Sequence, residues 1–292
     1  MSAVATSITR RGPRTWTRAG NAMRRALSYL LLVLVTAIVV MPVAWIFLVS
    51  LRTQAEYTSY PITFLPSRAH WENYWTVFEY AFLAKAWNTL QIAVPSVILT
   101  VLSSALAGFG FARHRAPLRN VMFILVLSML MVPRMVTIIP TFMLFARLHL
   151  NNTYWPWILW GLMGSSYHIF LFRQFFAAIP EDLEDAAEVD GCGRFRIFWQ
   201  IFMPNSTPVI ATAAIFHFQW VWGDWVNPQI FLTAAKTTLA VFLQTAYQDP
   251  KGNPLDTLQL AAVAVYITPM LIVFFVAQKY IIQGIVTTGL TG

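Results

Sequence analysis

Six long apolar runs, at 27–51, 86–112, 121–146, 155–177, 207–232 and 259–282, decide what this chain can fold into. An α-helix rises 1.5 Å per residue, so about 20 apolar residues cross a hydrocarbon layer of ~30 Å. Each run is long enough, and the longer ones must tilt, kink or protrude. The composition agrees: 58% of the residues are hydrophobic and only 11% are charged, against about 25% charged in ordinary soluble chains. The expected fold is all-α, a polytopic membrane protein with six transmembrane helices.

The net charge of +8 is compatible with nucleic-acid binding, but its placement argues for topology instead. Arg10, Arg11, Arg14, Arg18, Arg24 and Arg25 precede the first run. With the N-terminus inside, they share a side with Arg113, Arg115, Arg119, Arg173, Arg194, Arg196 and Lys279, against Arg52, Arg68, Lys85, Arg147, Lys236 and Lys251 opposite. The excess of basic residues puts both termini in the cytoplasm of a multi-pass cell-membrane protein, with no nucleic acid as partner. A cleaved signal peptide is the rival reading of the N-terminus. The apolar stretch 26–51 is too long for a signal core and lacks an Ala-x-Ala-like site, so it reads as a retained helix. The single cysteine, Cys192, excludes an intrachain disulfide and a cysteine-built metal site.

The expected organisation is a basic cytoplasmic tail over 1–26, a first transmembrane helix over 27–51 and an extracytoplasmic connection over 52–85. A core of five transmembrane helices over 86–283 follows, including a cytoplasmic loop at 178–206, and then a cytoplasmic tail over 284–292. The connection mixes aromatic, proline and charged residues and reads either as a folded cap or as an interfacial anchor.

The loop carries the densest charge. Glu181, Asp182, Glu184, Asp185, Glu188 and Asp190 stand within ten positions of a chain that has only 12 carboxylates. Pro180 suits a helix start, the acids favour its positive N-terminal end, and Gly191 suits its stop, so a short helix is expected over 181–190. On it Leu183, Ala186 and Ala187 form a narrow face that admits a close neighbour. After the Gly191-Cys192-Gly193 turn, Phe195, Phe198, Trp199 and Phe202 make an aromatic stripe that ends at Pro204. The pair of helices reads as a docking element for a soluble partner, or as a solvated acidic connection between spans.

"DAAEVDG", nine further residues and "IFMP" resemble the E-A-A-x3-G-x9-I-x-L-P signature of permease subunits of binding-protein-dependent ABC importers. Asp185 replaces the leading Glu and Met203 the Leu before the proline. The resemblance extends over about 70–292 through "MVPRMVTIIPTFMLFARLHLNNTYWPWILW", "WVWGDWVNPQIFL" and "QKYIIQGIVTTGLTG", which look like blocks of the carbohydrate-uptake branch, the maltose-type second permease. The chain ends Thr291-Gly292 where such chains often close with Lys-Gly. The resemblance implies a type I ABC importer permease fold and a coupling helix seated in a groove of a cytoplasmic ATPase, with Asp185, Ala186, Ala187, Gly191, Ile201 and Pro204 as the matching positions. It also implies a second permease subunit, two ATPase copies and an extracytoplasmic solute-binding protein. ATP and magnesium would be bound by the ATPase, with no cofactor in this chain, and the cargo would be a disaccharide or oligosaccharide.

Polar side chains within the runs are the candidates for a solute path, because they are costly in lipid. Arg134, between Pro133 and Pro140, reads either as a lining or gate residue or as a fastener for carbonyls freed by the prolines. Asp224 lies near the outer interface, where Trp220, Trp222 and Trp225 suit either sugar stacking or an anchoring belt. Asn88 and Thr89 suit solute contact or bonds across helices, and His168 and His217 read as structural.

Other classes fit less well. The five histidines are scattered, and neither H-E-x-x-H nor G-x-S-x-G occurs, which argues against an intramembrane enzyme. No G-x-x-x-x-G-K-[ST] phosphate loop is present, so the chain cannot power transport itself. An ion-coupled secondary transporter using Arg134 and Asp224 is the alternative, as is an ABC permease for a non-sugar solute; the first leaves the acidic loop without a role.

Overall fold

The computed structural model describes residues 18–61 and 63–289, with side chains described for 21–61 and 63–278. Arg10, Arg11, Arg14 and Thr291-Gly292 lie outside the described residues. Helix α1 (Arg18–Ser50) leads to α2 (Gln54–Tyr57) and α3 (Glu72–Glu79). Next come α4 (Phe82–Arg113), α5 (Arg119–Ser128) and α6 (Arg134–Arg147), then α7 (Trp155–Met163) and α8 (Ser166–Ala177). The acidic loop holds α9 (Asp182–Val189), α10 (Arg194–Ile197) and α11 (Met203–Asn205). The chain finishes with α12 (Thr207–Trp222), α13 (Val226–Phe231), α14 (Leu239–Phe242) and α15 (Asp256–Gly289). Among the described residues there is no strand, only an isolated bridge between Gln248 and Pro254.

Three of the apolar runs are single helices long and apolar enough to cross a membrane, at Asn21–Ser50, Phe82–Arg113 and Asp256–Gln278. The other three are interrupted. The third run bends by 100° between Arg119–Met131 and Arg134–Arg147, where Pro133 stands extended at φ −63°, ψ 129°. The fourth breaks at Gly164, whose φ of +72° is left-handed and open to glycine at little cost. The fifth breaks between α12 and α13 at Gly223-Asp224-Trp225.

A broken helix inside a bilayer frees backbone groups that need partners within the protein. Helix α4 supplies them at the fourth run. Ser103 Oγ donates to the Gly161 carbonyl at 2.8 Å, and Ser104 Oγ accepts from the Ser165 amide at 3.1 Å. At the fifth run Asp224 does the same work: one oxygen accepts from the Asn227 amide at 3.1 Å and the other from Asn227 Nδ2 at 2.7 Å.

Helix α4 is the axis of the fold. It packs against α7, α8 and α12, and α12 in turn packs against α15. Helix α1 leans on α15 and leaves Leu30, Val39 and Met41 exposed, a face suited to lipid or to another apolar helix. The connection before α4 is a folded cap: Asn73 donates to the carbonyls of Ser50 and Arg52, both at 2.8 Å. Val77 joins a core with Phe82, Trp222, Leu239 and Tyr247.

The α4 and α8 contact is close because Gly108 has no side chain. A Cβ there would stand 2.6 Å from Phe172 Cβ and 3.0 Å from the Arg173 amide, which neither neighbour can clear without moving a helix. Gly110, two residues on and turned away from that face, has nothing within 4 Å of such a Cβ. Gly108→Val is expected to cost about 1–3 kcal/mol in overpacking and to lower the melting temperature of the detergent-purified protein by several degrees. Gly110→Ala, measured in the same way, is expected to leave it unchanged or raise it slightly.

Candidate functional site

The acidic loop folds as α9 followed by a tight turn and a second helical stretch. The turn works as a glycine stop: Gly191 takes φ +78°, its amide donates to the Glu188 carbonyl at 3.0 Å, and the Cys192 amide donates to Ala187 at 2.9 Å. These bonds use carbonyls that the end of α9 would otherwise leave unpaired. Beyond the turn the chain stays helical through α10, a π-helical turn at Phe198–Phe202 and α11. Pro204 therefore does not end the segment. It sits in the first turn of α11, where a missing N–H costs least.

Three of the six acids on this loop face arginines of the same chain. Glu184 is buried and its carboxylate contacts the Arg194 guanidinium and, at 3.7 Å, Nε of Arg113. Glu181 pairs with Arg113 at 3.7 Å, and Glu188 with Arg194 at 2.9 Å. Arg113 is the last residue of α4, and its side chain is only 6% exposed. It also donates to the carbonyls of Phe176 and Ile179 and lies over the Phe202 ring at 5.1 Å. One guanidinium thus ties together the end of α4, the end of α8, the start of α9 and the π-helical turn.

The face expected from Leu183, Ala186 and Ala187 is divided by this arrangement. Ala187 is 7% exposed and joins a core with Phe109, Phe176, Phe198 and Phe202. Leu183, Asp185, Ala186 and Val189 face outward, with Val189 at 88% exposure. The aromatic stripe divides likewise: Phe198 and Phe202 are buried, whereas Phe195 and Trp199 are exposed. Phe202 meets Phe109 of α4 with ring centroids 4.8 Å apart. Ile201 is half-buried against the same core, and Pro204 is exposed. The outer surface of the loop is therefore small, apolar and acidic, set on a rigid aromatic base.

The candidates in the membrane are placed apart from this site, and the charges of Arg134 and Asp224 lie near enough to act on each other without forming an ion pair. The Arg134 guanidinium lies 3.7 Å from the centre of the Trp220 ring, a cation–π contact. Asp224 is occupied by Asn227, as above, and forms no ion pair among the described residues. Trp222 is buried, stacks on Tyr266 at 5.6 Å and donates to its carbonyl at 3.2 Å. Trp225 is half exposed. Asn88 donates to the carbonyls of Ala235 and Thr237 at 3.2 and 3.1 Å. His217 Nε2 lies 2.9 Å from Ser96 Oγ and 3.1 Å from Thr100 Oγ1. The ring nitrogens of buried His168 have no partner among the described residues.

Arg113, Glu184 and Arg194 were not singled out by their sequence pattern. Glu184 and Arg194 flank the glycine turn and so carry a local signal. Arg113 stands far away in sequence, with only its place at a helix end to mark it.

Residues 101–287 match the family described as "Binding-protein-dependent transport system inner membrane component". The arabinooligosaccharides transport system permease protein AraQ of Halalkalibacterium halodurans is 33% identical over 274 residues, covering 91% of this chain and 97% of that protein. The lactose transport system permease protein LacG of Rhizobium radiobacter is 32% identical over 262 residues, covering 88% and 93% respectively. A solved bacterial ABC transporter involved in import of the acidic polysaccharide alginate aligns with a TM-score of 0.80 at 21% identity, covering 92% of this chain and all of that one. The likeness to that structure extends over the whole arrangement of helices.

Breaking a buried ion pair from one side leaves the other charge uncompensated and costs about 3–5 kcal/mol. Glu184→Gln does this to Arg113 and is expected to speed amide hydrogen exchange across α9 by at least tenfold. Asp185→Asn, on the exposed face, is expected to leave exchange in α9 unchanged.

Proposed function

Because the chain belongs to the family of inner-membrane components of binding-protein-dependent transport systems, we propose that it forms the solute path of a sugar importer and receives the power stroke through α9. The chain is an ABC importer permease subunit and not itself an enzyme; hydrolysis of ATP belongs to a partner protein. The observation that carries the reading is the division of α9 into a face clamped by Arg113 and Arg194 and a free face of Leu183, Asp185, Ala186 and Val189.

A helix that passes on a push must be held firmly from one side and open to a partner on the other. Here the held side is tied to the end of α4, and α4 runs for 32 residues, about 48 Å at helical rise. An ATPase closing on the free face would move α9 and α4 as one body, because the connection is a buried guanidinium and a packed aromatic cluster. Gly191 lets the chain turn back at once beneath that face. Asp185, Ala186, Gly191 and Pro204 form the surface that an ATPase groove would meet, with Ala187 and Ile201 supporting it from within.

A sugar cargo is supported by relatives named for arabinooligosaccharide and lactose transport. The working assembly would pair this chain with a second permease subunit above two ATPase copies, which bind ATP and magnesium, and below a solute-binding protein. The exposed apolar faces of α1, α5 and α6 suit the second permease and lipid. In this orientation the α9 loop and both termini are cytoplasmic, in accord with the basic residues on that side. The two intramembrane charges are engaged by Trp220 and Asn227, which favours this reading over ion-coupled transport.

Two substitutions test the coupling role. Ala186→Arg places a long cation on the free face without disturbing the clamp, and Gly191→Asp adds strain at a left-handed position together with charge. Both are expected to insert normally, to keep the wild-type melting temperature within a few degrees, and to lose most ATPase co-purification and sugar uptake. Wild-type uptake by stably inserted Ala186→Arg would rule out the free face of α9 as the coupling surface.

A further inference from the structure

At the outer end of α4 lies a second polar cluster that the coupling role does not use. Lys85 is 9% exposed, and its ammonium donates to the carbonyls of Ala234 and Ala235 at 2.5 and 2.8 Å. Thr89 Oγ1 accepts from the Leu239 amide at 2.9 Å, so together with Asn88 the end of α4 holds the 234–239 stretch in place. A cavity of about 420 Å³ opens beside this anchor, lined by Lys85, Gln229, Thr237, Phe242 and Thr245 among others.

Two features of the cavity call for a ligand. An ammonium has three N–H donors, and the two carbonyls use two of them without neutralising the charge. Among the described residues no carboxylate lies within ion-pair distance of Lys85, although a buried charge is retained only when it is compensated. The second feature is Thr237, a residue of the cavity wall that is buried at 7% exposure and whose hydroxyl has no hydrogen-bond partner among the described residues. The Gln229 amide adds further donors at the wall. Phe242, whose ring centre lies 6.0 Å from the Lys85 ammonium, gives the cavity an apolar side.

We propose that this cavity is an extracytoplasmic oxyanion site, in which Lys85, Thr237 and Gln229 bind the carboxylate of a small ligand. A cation is excluded by Lys85, and a neutral ligand leaves its charge unmatched. The volume falls in the range of small-molecule pockets and accepts a single carboxylate-bearing unit of about the size of a uronic acid. Either an acidic sugar or a free carboxylate ion supplies this chemistry. The site itself stands independently of the sugar-import reading; only the choice of an acidic sugar over a free ion rests on it.

The test is isothermal titration of the purified, nanodisc-held transporter complex with sodium glucuronate, sodium acetate and glucose at matched ionic strength. Glucuronate is expected to bind and glucose not, with Lys85→Arg within threefold of wild type and Thr237→Val or Gln229→Leu weakened tenfold or more. Glucuronate binding at least tenfold tighter than acetate identifies an acidic sugar as the occupant, and equal binding identifies a free carboxylate. Glucose binding as well as glucuronate, no binding of either anion, or undiminished binding in both Thr237→Val and Gln229→Leu would overturn the proposal. Those two variants keep the Lys85 contacts with Ala234 and Ala235, so they report on the cavity even if Lys85→Arg fails to assemble.

Discussion

Arg113 stands where four elements meet, and the half of the fold around the α9 loop depends on the company it keeps. Its guanidinium is buried, so it needs both charge and hydrogen-bond partners. Glu181 and Glu184 provide the charge, the Phe176 and Ile179 carbonyls accept its protons, and the Phe202 ring covers one face. These contacts come from three parts of the chain: the end of α8, the start of α9 and the π-helical turn. With them made, the short α9, which has too few residues to be stable alone, has a defined position relative to the membrane helices. Arg194 completes the arrangement by reaching back across the glycine turn to Glu184 and Glu188.

The same logic of buried polar groups finding internal partners governs the membrane region. The fourth and fifth runs are broken, and serines of α4 and the Asp224 carboxylate meet the freed amides and carbonyls. Helix α4 therefore does more than span: its C-terminal end holds α9, its middle stitches the fourth run, and its N-terminal end anchors the 234–239 stretch. A displacement at the loop would be felt along one continuous element with few compliant joints. Such a helix is what a proposed transfer of motion from a cytoplasmic ATPase to a solute path requires.

Much of this was legible in the sequence, because hydropathy and turn chemistry act locally. The apolar runs and the short helix ended by Gly191 each depend on residues close together in the chain. The interruptions were less legible: Gly164 sits in a run that remains largely apolar on both sides, and Asp224 beside Gly223 reads equally well as a path residue. The inward turn of Glu184 was invisible for a different reason. Glu184 pairs with Arg194 and also faces Arg113, and sequence periodicity cannot tell a carboxylate facing solvent from one facing a distant arginine. Likewise Asn88 looked like a candidate for solute, and its commitment to the carbonyls of Ala235 and Thr237 became visible only with the fold.

The central claim is that α9 presents one face to the ATPase while the other is locked to its own chain. Site-directed cross-linking tests this most directly. Cys192 is the only cysteine, so a Cys192→Ser background can carry Leu183→Cys, Ala186→Cys or Ala187→Cys, each treated with a short maleimide and succinimidyl ester cross-linker in the assembled complex. Cross-links to the ATPase from positions 183 and 186, and none from 187, are the predicted result. Efficient cross-linking from 187 with none from 183 and 186 would contradict the account, because the face held by Arg113 would then be the one that meets the partner.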